Sequence, residues 1–321
     1  MRSEDIKLDT INIRDERFRI SYYSDLFALI HSISEIGLIH PPVITYREGD
    51  AIIVTGWKRV LACQSLDLPS IPCFVFEGQD DFEAFRLGLE ENLAFRPFTL
   101  LEKAQILSRL IQLGIPEKGV VKDHLFRLEI PQTLNHLDTY LRIAALDPET
   151  KAAIHSKNMV FPVVQLLTEY SEEERRLLLF FLHPLGQNKR RELLQNLLEI
   201  AKRDRIPIQN ILTGEDVHGI ASDQNLSPLQ KAEEIRNLIQ RKRYPTLSTW
   251  KDMFKSHKKD LEWPNDIKIE PSPFFEGEEF TVHFTFKDLD EYRKKLTKLN
   301  QMASDEKISR LLKFSPEKKD E

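Results

Sequence analysis

Cysteine is nearly absent: the 321-residue chain has two, Cys63 and Cys73. That number suits neither a disulfide framework nor a thiolate metal site, and it fits a reducing compartment. Also lacking is any apolar run near the roughly 20 residues that span a bilayer. The opening MRSEDIKLDT has no apolar signal core. The chain therefore reads as soluble and cytoplasmic, with no membrane partner. Nor is there an excess of positive charge, since 46 Lys and Arg face 51 Asp and Glu. This excludes the overall basicity of a nonspecific nucleic-acid coat, but not a local basic face. Histidines 31, 40, 124, 136 and 155 are scattered without ligand spacing, so a nuclease-like cluster of metal ligands is not legible.

What is there is a chain 41% hydrophobic and 30% charged with 17 prolines, enough for two or three small domains. Residues 1–100 hold 10 cations against 16 anions, and residues 201–321 hold 23 against 22. Cations clustered in the first third thus stand out. Over residues 6–96, IKLDTINI, PPVITYR, AIIVTG and IPCFVFE read as short strands, with helical periodicity between them. The helix SDLFALIHSISEIG sets Leu26, Leu29, Ile30, Ile33 and Ile36 on one face and stops at Gly37. From about 99 to 212 nearly every window is helical, and six prolines (116, 131, 148, 162, 184, 207) are candidate helix starts. TGEDVHGIASDQNLSP has linker composition. The expected architecture is an α/β domain over 1–98, an all-α domain over 99–212, and a linker with a small α+β segment over 213–321.

Three stretches carry candidate chemistry. In GWKRVLA, Gly56 closes a β-branched run, and Lys58 and Arg59 follow in the first helical turn. Unpaired amides and the helix dipole make such a junction an anion site, although an ordinary strand-to-helix turn has the same composition. GLIHPPVI (37–44) lies upstream and ENLAFRPFTLLEKA (91–104) downstream. In this order and spacing the three boxes resemble the N-terminal domain of the ParB family, and the resemblance covers roughly residues 6–180. It implies a nucleotide pocket that in several members takes CTP with magnesium. By that resemblance Lys58 and Arg59 hold phosphates beside Gly56, and Asn92 and Glu91 meet magnesium. The loop Gly37–Pro41, with His40, frames the nucleoside, and Arg96 is the nearest further cation. The departures are Trp57 in place of an acid, Leu61 in place of a further cation, and Ala94-Phe95 where Gln-Arg often stands. Each lost charge-assisted contact removes about 1.5–3 kcal/mol, which predicts weaker triphosphate binding.

The same fold family includes sulfiredoxin-like enzymes and a serine kinase. A sulfiredoxin-like reaction needs cysteine directly after the box glycine, where this chain has Trp57. Cys63, seven residues beyond Gly56, reads as a buried small hydrophobe. Glu91 is the one candidate general base by motif, so catalysis amounts at most to a weak CTPase-like NTPase activity.

Next, IPEKGVVKDHLFRLEIPQTLNHLDTYLRIAAL reads as helix, turn, helix. The second helix, beginning near Pro131, presents Gln132, Thr133, Asn135 and His136 to a major groove, with Arg142 farther along. The turn RLEIPQ lacks glycine, and a helix-turn-helix kept only for packing is the competing reading. GQNKRRELLQNLLEIAKRDR adds Lys189, Arg190, Arg191, Lys202 and Arg203 as candidate phosphate contacts, or as a solvated face. In EFTVHFTF, Phe280, Val282, Phe284 and Phe286 alternate, and this strand pairs either within the chain or with a second copy. The helix YRKKLTKL is a solvated face or a further DNA contact, and a charged tail follows. The resemblance implies a nucleoid-associated homodimer on double-stranded DNA, acting in partition or transcriptional regulation beside a partition ATPase. The alternatives are a nucleotide-dependent enzyme and an adaptor that has lost both ligands.

Overall fold

The computed structural model describes residues 1–22, 25–261, 263–272, 275, 279–303 and 308. The chain forms two compact units, Met1–Arg191 and Glu192–Glu321. The first opens with the α/β domain. Strands β1 (Arg2–Lys7), β2 (Val43–Arg47), β3 (Asp50–Thr55) and β4 (Ser70–Val75) form one sheet in the order β1-β4-β2-β3. β1 runs antiparallel to β4, and β2 forms an antiparallel hairpin with β3. The crossover from β3 through helix α2 (Trp57–Ser65) lays β4 parallel to β2. Along β4 the period is two: Ile71, Cys73 and Val75 are buried, whereas Pro72 and Phe74 face outward.

β3 is buried on both faces. Ile44, Ile53, Val60 and both cysteines share a core with Ile33 of α1 (Phe27–Ile36). On the other side lies α3 (Asp81–Phe95), which buries Ala84, Phe85 and Leu89. A Cβ at Gly88 would stand 2.9 Å from the Val54 carbonyl oxygen, so glycine allows this close helix-on-strand approach. Burial raises both thiols, Cys73 to about 12, as suits inert core residues. The five-residue apolar face expected of α1 is only partly used, because Ile36 remains 65% exposed.

Seven helices follow: α4 (Leu100–Gln112), α5 (Glu117–Asp123), α6 (Leu134–Ala144), α7 (Pro148–Ser156), α8 (Phe161–Leu167), α9 (Glu172–Leu182) and α10 (Gln187–Asp204), within which the first unit ends. Thr99 with Glu102, and Ser171 with Glu174, build capping boxes on α4 and α9. Pro148 and Pro162 stand in first turns, and Pro116 and Pro207 at N-caps. Pro131 and Pro184 start no helix.

The second unit continues with α11 (Ile208–Leu212), α12 (Glu215–Ser222), α13 (Pro228–Arg243), α14 (Pro245–Asp260), β5 (Lys268–Pro271), β6 (Phe280–His283) and α15 (Leu289–Ala303). The stretch of linker composition instead contains α12. It buries Val217, and Asp216 pairs with Lys242 at 2.6 Å, tertiary contacts that composition does not encode. β6 pairs with β5 of its own chain, Val282 opposite Ile269. Phe280 and Phe284 pack on a core of Phe254, Leu261, Trp263, Ile267, Ile269 and Phe275. Lys295 is buried, its ammonium donating to the Thr285 carbonyl at 2.6 Å, so it leaves the expected basic face of YRKKLTKL. Apart from Ala303 and Ile308, the charged tail lies outside the described residues. Among the described residues no helix is long and apolar enough to cross a membrane.

Candidate functional site

At the end of β3, Gly56 adopts φ 93° and α2 begins at Trp57. A Cβ there would lie 2.7 Å from Pro42 Cβ, so the turn requires glycine both for its conformation and for its space. No side chain caps α2, which leaves its first amides open to a ligand. A cavity of about 660 Å³ opens here, lined by Gly56, Lys58 and Arg59. Its other walls are His40 and Pro41 before β2, and Glu91, Asn92 and Arg96 at the end of α3. Gly37 is not among the lining residues. Its amide donates to the Ile33 carbonyl at 2.9 Å, and it ends α1.

One guanidinium cross-links the three boxes. Arg59 Nη1 donates to the carbonyls of His40 and Pro41 at 2.9 and 3.0 Å, while Nη2 donates to Glu91 Oε1 at 2.9 Å. The second oxygen, Glu91 Oε2, is buried without a hydrogen-bond partner. A carboxylate oxygen in that state favours a cation or a donor beside it. Asn92 Nδ2 donates to the Gly88 carbonyl at 2.8 Å, which orients its Oδ1 as the remaining acceptor. Lys58 makes no hydrogen bond or ion pair among the described residues. No group of three or more Asp, Glu, His or Cys able to hold a metal occurs among them either. Magnesium suits such a sparse set because it takes most of its ligands from phosphate and water.

Arg96 requires a correction. It lines the cavity, but its two terminal nitrogens each donate to Glu102 at 2.8 Å, and Glu102 is the buried capping-box acid of α4. Burial opposes ionisation of Glu102, yet the Arg96 and Thr99 hydrogen bonds outweigh it and hold the carboxyl below its ordinary range. Arg96 thus serves the cap. The sequence reading missed the apolar wall of Phe18, Ile20, Phe74 and Trp57, where Arg19 stands 5.3 Å from the Trp57 ring centroid. Only the aromatic-basic alternation RFRI before α1 hinted at it.

The family model of the ParB N-terminal domain matches residues 2–93. That first domain is therefore similar to the ParB N-terminal domain. It is 30% identical over 188 residues to the probable chromosome-partitioning protein ParB of Chlamydia muridarum, covering 55% of this chain and 65% of the relative. It is 26% identical over 164 residues to the chromosome-partitioning protein Spo0J of Thermus thermophilus, covering 51% and 58%. The chain therefore spans less than two thirds of the length of these curated relatives. Truncated ParB of Caulobacter crescentus is similar in its complex with CTP-gamma-S, at 20% identity, 54% and 94% coverage and a TM-score of 0.28. Its complex with the centromeric parS site gives 16%, 60%, 98% and 0.34.

Beyond this pocket, α5 and α6 are joined through a 3-10 turn over Phe126–Leu128. The missing turn glycine is replaced by Glu129, which itself takes φ 56°. Thr133 caps α6, so the helix starts three residues after Pro131, at Leu134. Gln132, Thr133 and Asn135 are exposed at that end. Gln132 Nε2 donates to the Lys122 carbonyl at 3.0 Å. His136 Nδ1 lies 2.7 Å from Thr133 Oγ1, and its ring stacks on Phe161 at 6.2 Å. Arg142 is engaged by Asp138 at 3.1 Å and Glu169 at 2.5 Å, which neutralises the cation expected on this helix.

On α10, Arg190 is buried and donates to the carbonyls of Leu182, His183 and Lys157 at 2.9, 3.2 and 3.3 Å. It ties α10 to its neighbours and is no surface phosphate contact. Arg203 donates to the Lys242 and Arg243 carbonyls at 2.9 Å each, besides pairing with Asp204. Lys189, Arg191 and Lys202 are exposed.

Proposed function

We propose that this chain is a ParB-like DNA-partitioning protein, nucleoid-associated and homodimeric, whose first domain binds a nucleoside triphosphate and whose α6 reads duplex DNA. The observation that carries the nucleotide reading is the cavity at the α2 N-terminus, where Lys58 lacks a partner and Glu91 Oε2 is buried unpaired. Lys58 and the open α2 amides hold phosphate, Pro41 and His40 border the nucleoside, and Asn92 with Glu91 offers oxygens to magnesium. CTP is the nucleotide favoured by the resemblance of the three boxes. A bound triphosphate with its metal supplies negative charge to Lys58 and Arg59 and positive charge to Glu91. Arg59, which holds Glu91 here, would be the second cation able to face the phosphates.

Calorimetry of the full chain with CTP, ATP, GTP or UTP and magnesium tests this. Heat is expected with CTP, and Lys58→Ala should weaken binding at least tenfold, since a charge-assisted contact is worth about 1.5–3 kcal/mol. No heat with any of the four at millimolar ligand overturns the nucleotide reading.

A further inference from the structure

Among the described residues, two buried side-chain polar atoms without a hydrogen-bond partner belong to the lining of the cavity at the α2 N-terminus. One is an acceptor, Glu91 Oε2, and the other a donor, Trp57 Nε1. The acceptor suits a cation, whereas the indole N–H has no role so far. Trp57 is the first residue of α2 and is 5% exposed. A buried indole N–H has given up its water and ordinarily finds an acceptor in exchange. Packing asks for the ring alone, so the N–H is a cost that the fold by itself does not recover. The ring is fixed by its neighbours: it packs in the core that holds Ile33 and Val60, and the Arg19 guanidinium lies 5.3 Å from its centroid. Arg19 is fixed in turn, its Nε donating to the Ser21 carbonyl at 3.0 Å and a terminal nitrogen pairing with Glu16.

We infer that Trp57 is a specificity-determining residue of the nucleotide pocket, its indole N–H donating to a carbonyl oxygen of the nucleobase. The inference rests on the proposed nucleotide reading. Lys58 and the open α2 amides serve the phosphates, but the cavity wall that Trp57 shares with Phe18, Ile20, Val43 and Phe74 is apolar. Such a surface suits a planar base rather than an anion, and a single donor set in it fixes the orientation of the ligand. A donor held in place before binding costs little to use, and a ligand without the matching acceptor leaves it unpaired, which is a strong basis for rejection. Cytosine, uracil and guanine each carry a carbonyl oxygen. Adenine carries none, so it is the base that this wall disfavours.

The test uses the full chain with isotope-labelled tryptophan, titrated with CTP and magnesium and read by nuclear magnetic resonance. Of its three tryptophans, Trp250 and Trp263 belong to the second unit, and the Trp263 indole already donates to the Ile267 carbonyl at 2.6 Å. One indole signal, the one missing from Trp57→Phe, should move downfield at saturation while the other two stay. In calorimetry Trp57→Phe should weaken CTP binding about fivefold to tenfold. It should leave ATP binding nearly unchanged, which narrows the preference for CTP. Inorganic tripolyphosphate with magnesium should leave the Trp57 signal in place. If the unaltered chain binds none of the nucleoside triphosphates, the nucleotide reading falls as well. If it binds CTP while no indole signal moves, or while Trp57→Phe keeps the affinity and the preference, this inference alone falls. A shift of the same size with tripolyphosphate makes the indole a phosphate contact and also overturns it. Should Trp57→Phe fail to fold, the unaltered chain still decides: a single moving indole signal supports the inference, and any other number overturns it.

Discussion

Gly56 combines a φ of 93° with a Cβ position 2.7 Å from Pro42 Cβ, so Gly56→Ala meets both backbone strain and a clash. The expected cost is about 2–4 kcal/mol, summing strain of 1–3 kcal/mol with local overpacking, and urea denaturation of the variant measures it. Arg96 and Glu102 supply a pH dependence. Glu102 is 4% exposed, and its carboxyl is held below the ordinary 4.5. A lowered folded-state value stabilises above the unfolded value and is lost as pH falls through the folded one. Arg96→Ala leaves a buried charge without its partner, and at pH 7 should cost about 3 kcal/mol. The difference from the unaltered chain should shrink on titration below about 4.5. A constant difference down to pH 3 would separate Arg96 from the ionisation of Glu102.

At the scale of elements, α3 is the part with two roles. Glu91 faces Arg59 in the pocket, while its neighbour Glu90 takes both terminal nitrogens of Arg127 at 2.6 and 2.5 Å, from the turn that precedes α6. The Arg127 hydrogen bonds hold the Glu90 carboxyl below its ordinary range. Both side chains are about two-fifths exposed, so the pair adds little stability, about 0–1 kcal/mol. Its consequence is mechanical. Arg127→Ala should leave the melting temperature nearly unchanged yet reduce the factor by which nucleotide alters duplex affinity, measured by anisotropy with and without CTP. An unchanged factor would mean that α3 carries no coupling through this pair. On α6, replacing Gln132 and Asn135 with Ala should leave random-sequence binding and its salt slope intact. Binding to a preferred site recovered by selection should lose roughly 1–3 kcal/mol for each base contact removed.

For the whole molecule, the open question of association centres on β6. Its partner within the chain is β5, and Phe280 and Phe284 are committed to the unit's own core, but Val282 and Phe286 stay 40% and 54% exposed. A homodimer is expected to use this segment. Light scattering at micromolar concentration should give twice the mass of one chain, and Val282→Lys with Phe286→Lys should return the single-chain mass. A single-chain mass for the unaltered protein would rule the dimer out.

The sequence alone determined local pieces: the strands near 43–47, 50–55 and 70–75, the stop at Gly37, the strand-to-helix turn at Gly56, and three boxes similar to the ParB N-terminal domain; the first strand lies at 2–7, where the expected 6–13 instead turns into a 3-10 helix at Leu8–Thr10. Each depends on neighbours a few residues away, where steric preference and periodicity are written directly in residue order. Tertiary structure decided which polar side chains are at liberty. Arg190, Arg142 and Arg203 look in sequence like Arg191, yet buried carbonyls, acids and neighbouring helix ends claim them. The same holds for Arg96 and Arg59 beside Lys58, and for the turn before α6, where Glu129 takes the conformation a glycine was expected to supply. For several of these cations a deciding partner lies 27 to 44 residues away along the chain, Glu169 for Arg142, Lys157 for Arg190 and Arg243 for Arg203, as Glu192 does for Arg236. No local pattern encodes that pairing, because long-range packing and desolvation choose it after the elements have formed.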